Sequence, residues 1–356
     1  MNIPKLRFKE FEGEWVEKPI GDILKIGSGK DYKHLEKGDI PVYGTGGYMT
    51  SVNEYLYDGE SVCIGRKGTI DKPRFIDGKF WTVDTLFFTH SWNNSNPKFV
   101  YSLFQKINWK KYNEASGVPS LSKATIEKIK VDIPPSLDEQ QKIATFLSTI
   151  DQKIEQLTKK KTLLESYKKG VMQKIFSQQI RFKRDDGGEF EDWEEKRLEI
   201  LAKSIRSGKT KPNEKGNFNV YGSTGIIGKN EEYTHHGEYI LVARVGANAG
   251  LTNLVDDKFS VTDNTLIIST RHELVVTKFI FIFLQQYNLN RLVFGSGQPL
   301  ITGKQLKSLK IKLPPKMEQQ KIANFLTSLD QKITQTTQQI EAMKRFKKGL
   351  LQGMFV

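Results

Sequence analysis

A few segments of this chain carry residue types that could do chemistry. Ser207-Gly208-Lys209-Thr210 resembles the end of a phosphate-cradling loop, where backbone amides and a lysine surround a nucleotide's phosphates. That loop needs a glycine upstream, where Lys203 stands, and a helix directly after it, which Lys211-Pro212-Asn213 opposes. Gly246-Ala247-Asn248-Ala249-Gly250 lacks the spacing of a dinucleotide fingerprint. His235 and His236 are adjacent, so they cannot share a face like the i, i+4 pair of a helical zinc site; an exposed loop is expected. Cys63 is the only cysteine, which excludes an internal disulfide and a multi-cysteine metal site. The carboxylates and lysine of Glu191 to Lys196 read as an ordinary helix start. Neither Pro134-Pro135 nor Pro314-Pro315 has the preceding Asn or Asp and following aromatic of an amino-methyltransferase motif. No catalytic or metal-binding constellation is expected.

Recognition chemistry remains. Lys plus Arg is 55 against Asp plus Glu 41, a net charge of +14, which points to a polyanionic partner. Arg and Lys pair with guanine, Asn and Gln with adenine, by two hydrogen bonds each. Such side chains beside glycine turns can reach base edges while backbone amides meet phosphates. The candidates are Lys30, Tyr43, Thr45, Arg66, Lys67 and Ser116, then Arg206, Lys209, Tyr221, Ser223, Arg244, Asn248 and Gln298. The bland reading is also open: Tyr43 and Tyr221 fit core positions ahead of hairpins, and the glycines shape turns.

The elements that must position these residues occur twice. Glu139 to Phe176 and Glu318 to Phe355 align with half of their positions identical. Ahead of them, Val42-Tyr43-Gly44 recurs as Val220-Tyr221-Gly222, and Arg66-Lys67-Gly68 as Arg244-Val245-Gly246. Pro134-Pro135 recurs as Pro314-Pro315. The 356 residues therefore comprise a variable block, 1–135, a kept block, 136–178, a second variable block, 179–315, and a second kept block, 316–356. Short runs rich in Val, Ile, Phe and Tyr predict strands at Ser61 to Ile64, Phe80 to Phe88, Tyr239 to Val245 and Thr265 to Ser269. Helices are expected near Lys98 to Ile107 and Leu274 to Gln286, which makes each variable block α+β with a mixed sheet.

In the kept blocks, apolar residues step by four and three. Ile143, Leu147, Ile150, Ile154, Leu157 and Leu164 form one seam; Ile322, Leu326, Leu329, Ile333, Ile340 and Met343 form the other. Lys161, Lys168, Thr336 and Lys347 interrupt these seams. Ser136 and Glu139 form a capping-box pattern at the first helix start. Each helix would be roughly 55 Å long. Periodicity does not choose a direction of pairing, but the chain must cross a whole block between the helices, which favours antiparallel. The longest apolar run, Phe279 to Leu284, is far short of a membrane span. The start of the chain shows no secretory signal, so a soluble, cytoplasmic protein is expected.

Two variable blocks, each followed by a helix carrying EQQKIA-x-FL and DQKI and ending in KKGVMQKIF or KKGLLQGMF, resemble the specificity subunit of type I restriction–modification systems. The resemblance covers essentially the whole chain. It implies two target recognition domains that each read half of an asymmetric, bipartite sequence in double-stranded DNA. It further implies an antiparallel coiled coil that sets the gap and docks two modification (methyltransferase) subunits, with restriction subunits completing the complex. S-adenosylmethionine, ATP and magnesium would lie on those partners; no cofactor or catalysis is expected in this chain. Two other readings are an enzyme acting on DNA through an unfamiliar site and a bridging protein that binds DNA regardless of sequence. Little follows Phe355 and little precedes Trp15, so a closing interaction between amino- and carboxy-terminal elements is expected to be reduced.

Overall fold

The computed structural model describes residues 2–213, 215–293 and 299–356. They divide into two compact units, Met1–Lys160 with Thr336–Val356, and Lys161–Gln335.

In the first unit, β1 (Val16–Pro19), α1 (Ile20–Ile23), β2 (Lys25–Ser28), β3 (Lys37–Gly44), β4 (Gly47–Val52) and β5 (Tyr57–Asp58) come first. Then follow β6 (Ser61–Gly65), β7 (Arg74–Ile76), β8 (Lys79–Thr82), β9 (Leu86–His90), α2 (Pro97–Lys106), α3 (Lys123–Lys128) and β10 (Lys130–Ile133). They form two four-stranded sheets, β2-β9-β6-β7 and β4-β3-β8-β5, antiparallel except for β3 beside β8. The expected strand Phe80 to Phe88 is broken in two: Leu86 N–H donates to Val83 C=O at 2.9 Å, and Asp84 sits exposed on the resulting turn. Helix α2 starts where Asn96 accepts from the amides of Lys98 and Phe99, with Pro97 at the first helical position. It buries Phe99, Val100, Leu103 and Phe104 against Val62, Ile64 and Trp15.

The second unit holds β11 (Glu194–Arg197), α5 (Leu198–Leu201), β12 (Ala202–Ser207), β13 (Phe218–Gly222), β14 (Gly225–Asn230) and β15 (His235–Ala243). It continues with β16 (Thr252–Val261), β17 (Thr265–Thr270), α6 (Thr277–Tyr287), α7 (Gly303–Lys307) and β18 (Lys310–Leu313). Here one six-stranded sheet, β12-β17-β15-β16-β13-β14, replaces the two of the first unit, and β13 is parallel to β16. Two local expectations fail. Glu194 to Lys196 enter a strand, not a helix, because β11 pairs with β18, a partner distant in sequence. His235 and His236 open β15 instead of a loop. The half-buried His235 ring stacks on Phe259 at 5.5 Å, and burial, then Arg206, hold its pKa below the usual imidazole value.

Each variable block is zipped shut at its base. Val16 to Pro19 pair antiparallel with Ile133 to Lys130, and Glu194 to Arg197 with Leu313 to Lys310. The long helices α4 (Leu137–Phe176) and α8 (Lys316–Met354) start just after these ribbons. Ser136 Oγ accepts from the Glu139 amide at 3.4 Å, but the reciprocal half of the expected capping box is missing. The Glu139 carboxylate turns instead to Arg7, 2.8 Å, and to the Trp15 indole, 3.2 Å. In the second unit Glu318 does the same with Arg181, 2.8 Å, and Trp193, 3.1 Å. Both carboxylates are buried, so each pair ties an arm to a helix start with a charge that must stay partnered. The next residues, Gln140 and Gln319, donate to Pro134 and Pro314 carbonyls. The repeated EQQ is thus a joint between block and helix.

The helices pair antiparallel within each unit, as topology favoured. In the first unit Phe355 meets Trp15, which holds Glu139, while Lys347 reaches Asp151 further along α4 at 2.6 Å. In the second, Phe176 meets Trp193, which holds Glu318, while Lys168 reaches Asp330 at 2.5 Å. Ile143, Leu147, Ile150, Leu157, Ile322, Leu326, Leu329 and Ile340 are buried; Ile154, Leu164, Ile333 and Met343 are half-buried. Thr336 and Lys347 are buried in the seams they interrupt. The expected weakness of closure at the termini is overturned. Leu6 N–H donates to Gly353 C=O at 2.8 Å, Phe355 packs on Phe99 at 5.2 Å, and Lys106 bonds the Val356 carbonyl.

Candidate nucleic-acid interface

One short turn in each unit collects the loops that carry the candidate residues. In the first unit it is the turn 82–86. Lys30 N–H donates to Thr82 C=O at 2.8 Å, Arg66 N–H to Thr85 C=O at 2.7 Å, and Val83 N–H to Tyr43 C=O at 3.0 Å. The Arg66 loop is then tied to the loop 113–121: Gly68 N–H donates to Pro119 C=O and Leu121 N–H to Arg66 C=O. The second unit repeats this on the turn 261–265. Thr262 N–H donates to Tyr221 C=O at 2.9 Å, Arg244 N–H to Asn264 C=O at 2.9 Å, and Gly208 N–H to Thr265 C=O at 3.2 Å. Gly246 N–H again donates to Pro299 C=O, and Ile301 N–H to Arg244 C=O.

The glycine before each lysine is forced by close approach. A β-carbon at Gly29 would lie 1.9 Å from Val83 C=O, and one at Gly208 would lie 2.0 Å from Val261 C=O. Gly68 and Gly246 have φ of +86° and +78°, the left-handed region that lets the Arg-x-Gly loop turn back. Backbone groups therefore hold the frame, and side chains at its edge are free to differ.

Lys30, Lys67, Ser116, Arg206 and Lys209 are exposed; Thr45, Arg66, Ser223, Arg244 and Asn248 are half-buried. Arg66 donates to Asp84 C=O at 3.4 Å and, with Lys67, Lys123, Glu114 and Ser122, lines a surface hollow. Ser116 rides on a loop pinned by Asn113, whose side chain accepts from the amides of Ala115 and Ser120. Arg206 stands inside β12, opposite Ile267 of β17 and near His235. Tyr43 and Tyr221 are half-buried, with rings 6.3 Å from Tyr48 and 5.7 Å from Phe259. Desolvation, then Asp257, raises the Tyr221 pKa. Gln298 lies outside the described residues. Arg244 Nε and the hydroxyls of Thr82, Thr262 and Thr265 are buried without a hydrogen-bond partner among the described residues. All four lie on or beside the two turns.

Sequence reasoning missed Lys123, Asn264 and the apolar residues after the hairpin turns. The signal for the last was present: apolar types at the same distance after each Val-Tyr-Gly. Among the described residues no group of three or more His, Cys, Asp or Glu is placed to hold a metal. Nor is any helix among them long and apolar enough to cross a membrane.

This is a repeated recognition scaffold on paired helices, and known proteins share it. Residues 12–166 and 190–345 each match the family described as the type I restriction modification DNA specificity domain. The chain belongs to that family. It is 25% identical to the type I restriction enzyme MjaVIII specificity subunit of Methanocaldococcus jannaschii, over 97% of this chain and 94% of that one. It is 28% identical to the putative MjaX specificity subunit of the same organism, over 93% and 82%. The crystal structure of a type I restriction–modification S subunit from M. genitalium superposes with a TM-score of 0.74 at 16% identity, covering 99% of both chains. That likeness confirms the fold.

Proposed function

We propose that the chain is the DNA-reading subunit of a type I restriction–modification complex, and that each unit reads one half of a bipartite target. The observation that carries this is the duplicated turn. Equivalent backbone hydrogen bonds hold Arg66 on one turn and Arg244 on the other, with the loops that carry Lys30 and Lys67 in the first unit and Lys209 and Asn248 in the second. One frame with two sets of side chains suits two different half-sites on one duplex. The net charge of +14 adds sequence-independent attraction to phosphates. The chain itself is non-catalytic in this reading. Two modification subunits dock on the helices and carry S-adenosylmethionine; restriction subunits carry ATP and magnesium; the complex works in the cytoplasm.

Base-resolution methylation mapping of the host genome, with the gene intact and deleted, tests the proposal. One bipartite methyl-adenine motif should vanish on deletion. If co-expression with the modification subunits creates no such motif either, the proposal fails. DNA cleavage or methylation by the purified chain alone, abolished by a point mutation in it, would support an enzyme instead.

A further inference from the structure

Both recognition hairpins end in apolar side chains that stand in water. Tyr48 is 63% exposed and Met49 51%, just past the β3–β4 turn. At the corresponding places past the β13–β14 turn, Ile226 is 56% exposed and Ile227 41%. The side-chain shapes differ between the units, while apolar character is kept at both positions. The glycine of each Val-Tyr-Gly makes room for the second of them. A β-carbon at Gly44 would meet Met49 Sδ at 2.8 Å, and one at Gly222 would meet Ile227 Cδ1 at 2.9 Å. Met49 and Ile227 thus rest over their glycines, while Tyr48 and Ile226 stand opposite Tyr43 and Tyr221 in the ladder.

The first hairpin has a basic and a polar side chain beside it. A β-carbon at Gly47 would meet the exposed Arg74 guanidinium at 3.1 Å, and one at Gly68, in the Arg66 loop, would meet Thr45 Oγ1 at 3.7 Å. Each hairpin is anchored to the recognition turn through Tyr43 or Tyr221. A two-stranded ribbon fits the major groove of duplex DNA, and the apolar group that base pairs offer there is the thymine C5-methyl.

We propose that these tips are base-reading elements: Tyr48 with Met49, and Ile226 with Ile227, each contact thymine methyl groups in the half-site read by their own unit. The inference rests on the DNA-reading function above and adds an apolar term to it. Covering one methyl group corresponds to about a fourfold change in affinity.

The test uses the full chain assembled with its modification subunits and duplexes bearing the mapped target. Thymines of each half-site are replaced one at a time by deoxyuridine, which removes only the methyl. At least one replacement per half-site should weaken binding about fourfold. Tyr48→Ser with Met49→Ser should abolish that sensitivity in one half-site, and Ile226→Ser with Ile227→Ser in the other. The salt dependence should stay unchanged, because no phosphate contact is lost. Tyr48→Phe and Ile226→Val, which keep the apolar tip, should retain the sensitivity and guard against misfolding. If the wild-type complex binds its target specifically but ignores every deoxyuridine, the tip inference is wrong and the DNA-reading function stands. If the wild-type complex shows no sequence preference, that function falls first.

Discussion

The turns at 82–86 and 261–265 take hydrogen bonds from equivalent loops, yet the structures around them diverge. The first unit hangs its turn between two four-stranded sheets; the second sets it in one sheet of six. The first presents Thr85, Tyr48 and Lys67 where the second presents Asn264, Ile226 and Val245. What survives is main-chain geometry and the glycines it forces. Recognition chemistry that varies while its frame persists must be fixed through groups that every residue carries, and backbone amides and carbonyls are such groups. The joint between block and helix is the opposite case: there Glu, Gln, Arg and Trp recur because their side chains make the contacts.

If the two joints are equivalent, Glu139→Ala and Glu318→Ala should each cost about 3 kcal/mol, since each removes a buried carboxylate that a half-buried arginine and an indole both use. Chemical denaturation of the two variants checks this. A large inequality would show that one joint has outside support. Next in size is Arg244→Ala, which should relax one half-site by about 1–3 kcal/mol of discrimination and spare the other. Binding to half-site variants reads it directly; a uniform loss would make Arg244 a phosphate contact. Smaller effects sit in the seams. Lys347→Met should cost about 1 kcal/mol, and Lys168→Met less, because Asp330 is more exposed than Asp151. Equal costs in thermal melts would deny that difference. Smallest is Cys63, buried with its thiol pKa pushed up to about 12. The folded state keeps that proton while an unfolded thiol loses it near pH 9, so its contribution to stability falls as pH rises above that value. A maleimide at pH 8 should label it only when the first unit opens.

Much of this was legible in the chain. The repeat, the two helices and the equivalence of Arg66 with Arg244 follow from spacing, because helix periodicity and duplicated motifs are local signals. What escaped was set by distant partners. Glu139 looked like a cap for its own helix, but Arg7, far away in sequence, claims its carboxylate. Glu194 to Lys196 looked helical until Lys310 to Leu313 offered a strand to pair with. The turn at Val83 to Thr85 hid inside an apolar run, since Val83 is buried there like a strand residue. Tyr48 and Ile226 drew no notice because, in sequence alone, an exposed apolar residue looks like a buried one.

The packing of Phe355 on Trp15 and Phe99 also bears on how the chain matures during synthesis. A growing chain leaves the ribosome amino end first, so the strands and α2 of the first unit emerge long before Leu351, Met354 and Phe355, which complete that unit's core. The unit made first is therefore finished last. Until the final turns of α8 arrive, Trp15 and Phe99 lack the covering ring of Phe355, and the nascent first unit presents an apolar face to the chaperones and proteases that meet new chains.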